Sequence, residues 1–77
     1  MARGIVKFFN TLKGYGFIIP EGKVGTAAPD VFVQISDVQR SGLTTLSAGQ
    51  LVEYDLFEDR SGRPSAQNLK LIAVPQR

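Results

Sequence analysis

Hydrophobic residues fall into five short runs along the chain, at positions 5–9, 15–19, 31–35, 51–57 and 66–74. Gly, Pro, Asp and Ser separate the runs, which is typical of an all-β barrel or sandwich. Because closure of the sheet removes unpaired edges, five strands in so short a chain predict a small barrel. No segment keeps a 3.6-residue period, so we expect at most one helical turn, near 36–39, in the long connection 37–50.

The second run has two apolar faces, because successive side chains of a strand point to opposite sides. Lys13, Tyr15 and Phe17 share one face. Gly16 and Ile18 share the other. A barrel of this size has one interior, and a lysine inside it would need partners that are hard to supply. The face with Lys13 is therefore predicted to meet water, and Ile18 to lie in the core.

The third run repeats this arrangement. Phe32 and Gln34 share one face, and Val31, Val33 and Ile35 share the other. Since Gln34 is polar, we expect its face to point outward and the aliphatic face to point inward. Three aromatic rings would then lie outside the barrel, although aromatic residues are more often part of a core.

Exposed rings beside lysines form a platform for unpaired bases. Each stacked base contributes about 1–3 kcal/mol, and stacking tolerates any base because every base has a π face. Lysines hold phosphates and make the binding sensitive to salt. Duplexes hide their bases, so the predicted ligand is single-stranded. Gly14 and Gly16 leave bare backbone around Tyr15, which allows either close approach of a base or a tight bend.

Composition argues against catalysis. The chain has 77 residues, which is one domain, with no histidine and no cysteine. The usual general base, the thiol nucleophile and the main soft-metal ligands are therefore missing. Glu53 and Asp55 share a strand face, which is ordinary for a face in water. We expect no enzyme activity, no catalytic residue, no metal and no cofactor.

Charge and hydropathy point to a partner and a compartment. The net charge is +2, but Arg3, Lys7, Lys13 and Lys23 dominate the first 25 residues. Such a local field attracts phosphate, although it is also compatible with an ordinary solvated surface. No apolar run approaches 18 residues and no signal peptide is recognisable. We therefore expect a cytoplasmic protein without a membrane segment.

Four segments resemble the cold-shock domain family of bacteria. The first is Gly4-x-Val6-Lys7-Phe8-Phe9-Asn10-x-x-Lys13-Gly14-Tyr15-Gly16-Phe17-Ile18, and the second is Asp30-Val31-Phe32-Val33-Gln34-x-Ser36. The later two are Leu46-x-x-Gly49-Gln50-x-Val52-x-Tyr54 and Pro64-x-Ala66-x-Asn68-Leu69. The likeness spans nearly the whole chain and predicts one cold-shock domain over 1–77, with its core at 4–72.

This resemblance implies a five-stranded antiparallel oligonucleotide-binding barrel. It also implies binding of single-stranded RNA or DNA, preferably pyrimidine-rich, as an RNA chaperone or as a regulator of transcription or translation. The oligomeric state is open from sequence, and a monomer is the default expectation. Carried over position by position, the binding residues are Lys7, Phe8, Asn10, Lys13, Tyr15, Phe17, Asp30, Phe32 and Gln34. The first strand does not alternate cleanly, so Lys7, Phe8 and Asn10 rest mainly on the resemblance.

The chain departs from the family pattern at several positions. Phe8 stands where the family usually has Trp, and Gln34 replaces the usual His. Ile35 and Leu43 stand where many members have Phe. Because fewer rings remain for stacking, we expect weaker or more selective binding than in typical members.

Two connections also depart from the pattern. The loop between positions 18 and 30 is longer than usual. The Arg-Gly-Pro order near Arg60 and Arg63 is altered, so the resemblance does not choose which arginine contacts phosphate.

Two other binding modules share some of these features. The residues from Lys13 to Phe17 are also similar to the main motif of the RNA-recognition fold, but that fold requires two helices behind its sheet. A small barrel could instead bind proline-rich or other peptides on the same rings. Salt dependence separates peptide binding from phosphate binding.

Overall fold

A computed structural model of the chain describes residues 2–23 and 25–73. Its elements are β1 (Ala2–Asn10), β2 (Tyr15–Pro20), β3 (Val31–Gln34), α1 (Ile35–Arg40), β4 (Leu51–Glu58) and β5 (Pro64–Ala73). The predicted five strands and the absence of long helices are thereby confirmed for this part of the chain.

The five strands close into a barrel in the order β1-β2-β3-β5-β4, with β4 pairing back onto β1. Four of the five strand pairings among the described residues are antiparallel, as predicted. The pairing of β3 with β5 is parallel and joins Phe32 to Ser65. The outer faces of β1, β2 and β3 form one continuous surface, which we call the outer wall. The outer face of β5 adjoins this wall at β3, and that of β4 follows next.

The core lies inside this barrel. Ile18, Val31 and Val33 point inward and are fully buried, which confirms the prediction for β2 and β3. The remaining buried side chains are Val6, Val38, Leu46, Val52, Tyr54, Ala66 and Leu69. With the aliphatic side chains inside, the aromatic sides of β2 and β3 face outward.

Several strand ends differ from the prediction by one to three residues, and β5 begins at Pro64, two residues before its predicted start. Ile35 does not close the third strand. It begins α1, its amide donates to the carbonyl oxygen of Gly14 at 2.9 Å, and the helix buries Val38. The first strand begins at Ala2 because its first residues pair with β4, and that partner cannot be identified from local pattern. The predicted fifth strand extended to Val74, which lies outside the described residues.

A β-bulge explains the irregular alternation of β1. Val6 pairs with Ile18 and Phe8 pairs with Phe17, so Lys7 is the additional residue between the two pairs. A bulge shifts the phase of a strand by one residue. Val6 therefore points into the core, while Lys7 and Phe8 are both exposed.

Candidate nucleic-acid interface

Four rings form a continuous cluster on the outer wall of β1, β2 and β3. Phe8, Phe17 and Phe32 occupy one row across the three strands, because Phe8 pairs with Phe17 and Phe17 pairs with Phe32. Their ring centres lie 5.7 Å and 5.6 Å apart along the row. Tyr15 lies 6.0 Å from Phe32, with the two ring planes inclined by 23°. We call Phe8, Tyr15, Phe17 and Phe32 the aromatic platform.

The platform borders an open groove of about 490 Å³. The groove is lined by Lys13, Gly14, Tyr15, Phe17, Phe32, Gln34, Ile35, Ser36 and Arg63. Five of the residues predicted from sequence thus meet in one concave surface, and Phe8 adjoins it through its contacts with Tyr15 and Phe17. A concave surface of rings with a few polar groups is suited to binding flat, partly apolar ligands.

Gly16 serves packing rather than close approach of a ligand. It is buried, and a Cβ atom added there would collide with the carbonyl oxygen of Phe8 and the ring of Phe9. Of the alternatives that the sequence left open for Gly16, close approach of a base does not fit, because β1 occupies the space beside this glycine. Gly14 has a φ of 78° in the turn before β2 and lines the groove, so close approach at that position is compatible with the structure.

Asn10 holds the turn that carries Lys13. Its Oδ1 accepts a hydrogen bond from the Lys13 amide at 3.0 Å, and its carbonyl oxygen accepts one from the Gly14 amide at 2.7 Å. Asparagine commonly stabilises turns in this way. The structure thus gives Asn10 a positioning role and places Lys13, which is exposed, at the edge of the platform.

Lys7 and Asp30 form an ion pair, with 3.1 Å between Nζ and Oδ2. Lys7 lies on the bulge directly before Phe8, and Asp30 directly precedes β3. More than half of the Lys7 side chain remains exposed. The pair therefore lies at the margin of the platform, where a phosphate could replace the carboxylate as the partner of the ammonium group.

Arg63 is the arginine that lies at the platform. Its guanidinium carbon is 4.1 Å from the centre of the Phe32 ring, which is a cation–π contact. The Nε atom donates to Oδ2 of Asp59 at 3.1 Å. The sequence left open which of Arg60 and Arg63 contacts phosphate, and Arg63 is the one of the two that lines the groove. No local pattern reveals the contact with Phe32, because it depends on the pairing of β3 with β5, the strand that begins directly after Arg63.

Asp59 organises the hairpin that carries Arg63. Its Oδ1 accepts hydrogen bonds from the Ser61 amide and hydroxyl and from the Arg63 amide. The hydrogen bond from the Ser61 hydroxyl, followed by that from the Arg63 backbone, lowers the pKa of Asp59 to about 2. The carboxylate stays ionised and keeps the arginine directed toward Phe32.

Gln34 and Ile35 complete the rim of the groove. Gln34 is exposed and pairs with Tyr15 across β2 and β3, so its amide lies beside the groove. Ile35 and Leu43 are both partly buried against the core, but the groove lining includes Ile35 and not Leu43. Of the two positions that lack the family's Phe, Ile35 is the one that lies on the groove.

The described part of the chain contains no group of three or more His, Cys, Asp or Glu residues that could hold a metal ion. Within 2–23 and 25–73, no helix has the length and apolarity needed to cross a membrane.

Comparison with known proteins agrees with this architecture. The family model described as "'Cold-shock' DNA-binding domain" matches residues 2–72. The chain is 54% identical over 71 residues to "Probable cold shock protein y4cH" of Sinorhizobium fredii, covering 91% of this chain and 97% of that protein.

Two further relatives cover similar shares. Cold shock protein CspA of Rhizobium meliloti is 48% identical over 71 residues, covering 91% of this chain and 97% of the relative. The cold shock-like protein of Aquifex aeolicus is 46% identical over 70 residues, with 91% and 93% covered. The chain therefore belongs to the cold-shock domain family and is a nucleic-acid-binding domain.

Proposed function

We propose that the chain binds single-stranded RNA or DNA by stacking successive bases on the aromatic platform. The observation that carries this proposal is the contact of four rings outside a barrel whose core is already filled by aliphatic residues and Tyr54. Phe8 is exposed and the other three rings are partly exposed, and apolar clusters on an outer surface mark binding sites. Stacking on such rings is the main source of affinity in sequence-tolerant single-strand binding.

Cations at the edges of the platform would hold the sugar-phosphate backbone. Lys7 lies on the β1 side, Lys13 at the turn before β2, and Arg63 on the β5 side. A strand that crosses the platform can therefore meet positive charge along its path. Asn10 and Asp30 would position two of these cations, and Gln34 would offer its amide to a base edge.

The proposed action requires no chemical step and no cofactor. A monomer that captures unpaired bases would hold weakly paired RNA open, which is the action of an RNA chaperone, or would compete with pairing that regulates transcription or translation. We propose a preference for pyrimidine-rich strands in the cytoplasm. The acting unit in this proposal is one domain over 1–77 with its core at 4–72.

The test is a titration with fluorescent oligothymidine of about seven nucleotides, at two salt concentrations. We expect the Phe17→Ala, Phe32→Ala variant to lose at least tenfold in affinity, since each ring contributes about 1 kcal/mol or more. Leu56→Ala is the matched control, because Leu56 is exposed but lines a cavity apart from the groove. Circular dichroism must show that all variants keep the fold.

Salt dependence decides the class of ligand. Three phosphate contacts predict a slope of about 2 in the logarithm of affinity against the logarithm of salt concentration. No binding of oligothymidine or of single-stranded RNA by the wild type would refute the proposal. In that case peptide binding on the same rings, which should depend little on salt, becomes the explanation of the platform.

A further inference from the structure

The row of the aromatic platform continues beyond Phe32. Phe32 pairs with Ser65 on β5, and Ser65 pairs with Phe57 on β4. Paired residues of neighbouring strands point to the same face of a sheet. Phe57 therefore lies in the row of Phe8, Phe17 and Phe32, separated from Phe32 by one serine.

Burial along β4 agrees with this placement. Val52 and Tyr54 are buried in the core, so alternation directs Phe57 outward. The Phe57 side of the barrel is open to solvent, since the residue is 44% exposed. Exposure of a large ring on a strand face that also carries Glu53 and Asp55 is not explained by packing.

Phe57 lies too far from Phe32 to share a base with it. Two strand spacings separate their backbones, a distance of about 10 Å. Ser65 has a small side chain, and its hydroxyl is directed at the Phe57 carbonyl oxygen, 3.5 Å away. The space above Ser65 is therefore not filled by a fifth ring, and Phe57 can receive a base of its own.

The charges around Phe57 indicate which part of a nucleotide would bind. Asp55 lies two residues before Phe57 on β4, and Asp59 lies two residues after it, directly beyond the end of the strand. Asp55 accepts a hydrogen bond from the Asn68 amide at 2.8 Å, and Asp59 is paired with Arg63. Carboxylates repel phosphate, so the ring offers a place for a base and not for the backbone.

We propose that Phe57 is an additional stacking subsite for one unpaired base of a strand already bound on the aromatic platform. This inference rests on the proposed function, because the ladder through Ser65 makes the subsite an extension of the same surface. A strand must pass Arg63 to reach it. The subsite therefore acts only on strands longer than those that fill the platform.

The first experiment measures affinity for oligothymidines of roughly four to ten nucleotides, within the range that one OB fold occupies. Phe57→Ala should bind the shortest strands like the wild type and lose about fivefold or more on the longest. Its salt slope should equal that of the wild type, because no phosphate contact is removed. Leu56→Ala, the adjacent residue on the opposite side of β4, should bind every length normally.

The second experiment detects the base directly. The chain has no tryptophan, so Phe57→Trp introduces a single indole. We expect its fluorescence to be quenched by long strands and unchanged by strands that fill only the platform. Leu56→Trp should not respond to strands of any length.

The outcomes separate this inference from the proposed function. If the wild type binds but Phe57→Ala binds equally at all lengths, the subsite does not exist and the platform stands. An equal loss at every length also overturns the inference, since it indicates a structural effect. If the wild type binds no single strand, both proposals fail. Quenching of Phe57→Trp by long strands alone, with the length-dependent loss, supports the subsite.

Discussion

The guanidinium carbon of Arg63 lies 4.1 Å from the centre of the Phe32 ring, while the same side chain donates to Asp59. The arginine is thus held between a ring of the platform and a carboxylate of its own hairpin. Planar guanidinium groups stack on aromatic faces and remain charged at all ordinary pH values. This position lets one residue extend the stacking surface and supply positive charge for a phosphate.

Replacement of Arg63 should therefore weaken binding in two ways. For Arg63→Ala we expect a loss of about tenfold in affinity and a fall of about 0.7 in the salt slope, equivalent to one phosphate contact. Arg63→Lys should keep the slope but recover only part of the affinity, because an ammonium does not stack. Titration with oligothymidine at several salt concentrations measures both quantities.

Arg60→Ala is the control for Arg63, since both substitutions remove one positive charge from the same hairpin. We expect its affinity to change less than threefold. Equal losses for the two variants would show that the hairpin acts through general charge, contrary to the assigned role of the cation–π contact.

Restoring the family's rings should strengthen binding. Phe8→Trp enlarges a ring of the platform, and Ile35→Phe adds a ring to the groove wall. Each substitution should improve affinity about fivefold, which corresponds to about 1 kcal/mol of stacking. Leu43→Phe should give no gain, because Leu43 is not among the residues that line the groove. Affinities measured on one oligothymidine rank the three variants, and a gain from Leu43→Phe equal to that from Ile35→Phe would contradict this reasoning.

The sequence predicts this site only where a polar residue in a strand identifies the side that faces solvent. Lys13 and Gln34 identified the outward faces of β2 and β3, and Ile18 and Val33 are buried as predicted. In β1 the bulge at Lys7 shifts the phase, which no local pattern reveals.

Contacts between residues that are distant in sequence account for the remaining differences between the prediction and the structure. The position of Arg63 beside Phe32 depends on the pairing of β3 with β5, and the early start of β1 depends on pairing with β4. The sequence around Phe57 does indicate an exposed ring, because this aromatic residue shares a strand face with Glu53 and Asp55. The pairing through Ser65 was needed to place it in the platform's row.

Gly16 should tolerate no side chain. A Cβ atom there would collide with the backbone of β1 at Phe8 and Phe9, where the two strands are tightly paired. Overpacking of this kind costs about 1–3 kcal/mol, a large fraction of the stability of so small a domain. We expect Gly16→Ala to lower the urea midpoint of unfolding substantially.

Gly22→Ala provides the comparison for that substitution. Gly22 has a φ of 82° but nothing within 4 Å of an added Cβ atom. The stability lost in Gly22→Ala should be limited to the backbone strain of about 1 kcal/mol. A smaller loss for Gly16→Ala than for Gly22→Ala would contradict the packing role of Gly16.

The stability of the barrel should fall in alkaline solution partly through Tyr54. Burial raises the pKa of this phenol above its usual value of 10.0, because the charged form is poorly solvated in the core. Above pH 10 the unfolded chain loses the Tyr54 proton while the folded chain retains it. Since the folded state then binds more protons, the free energy of unfolding decreases as pH rises. Below pH 10 the phenol is neutral in both states and makes no pH-dependent contribution.

Tyr54→Phe removes this ionisation and should flatten the decrease. Urea unfolding of both proteins at intervals between about pH 8 and 11 measures the effect, and the difference between the two curves isolates Tyr54 from other groups that titrate there. The difference should be constant up to about pH 10 and should then change in favour of Tyr54→Phe. Parallel curves over the whole range would mean that the phenol ionises equally readily in the folded and unfolded chains. The burial of Tyr54 would then not disfavour its charged form.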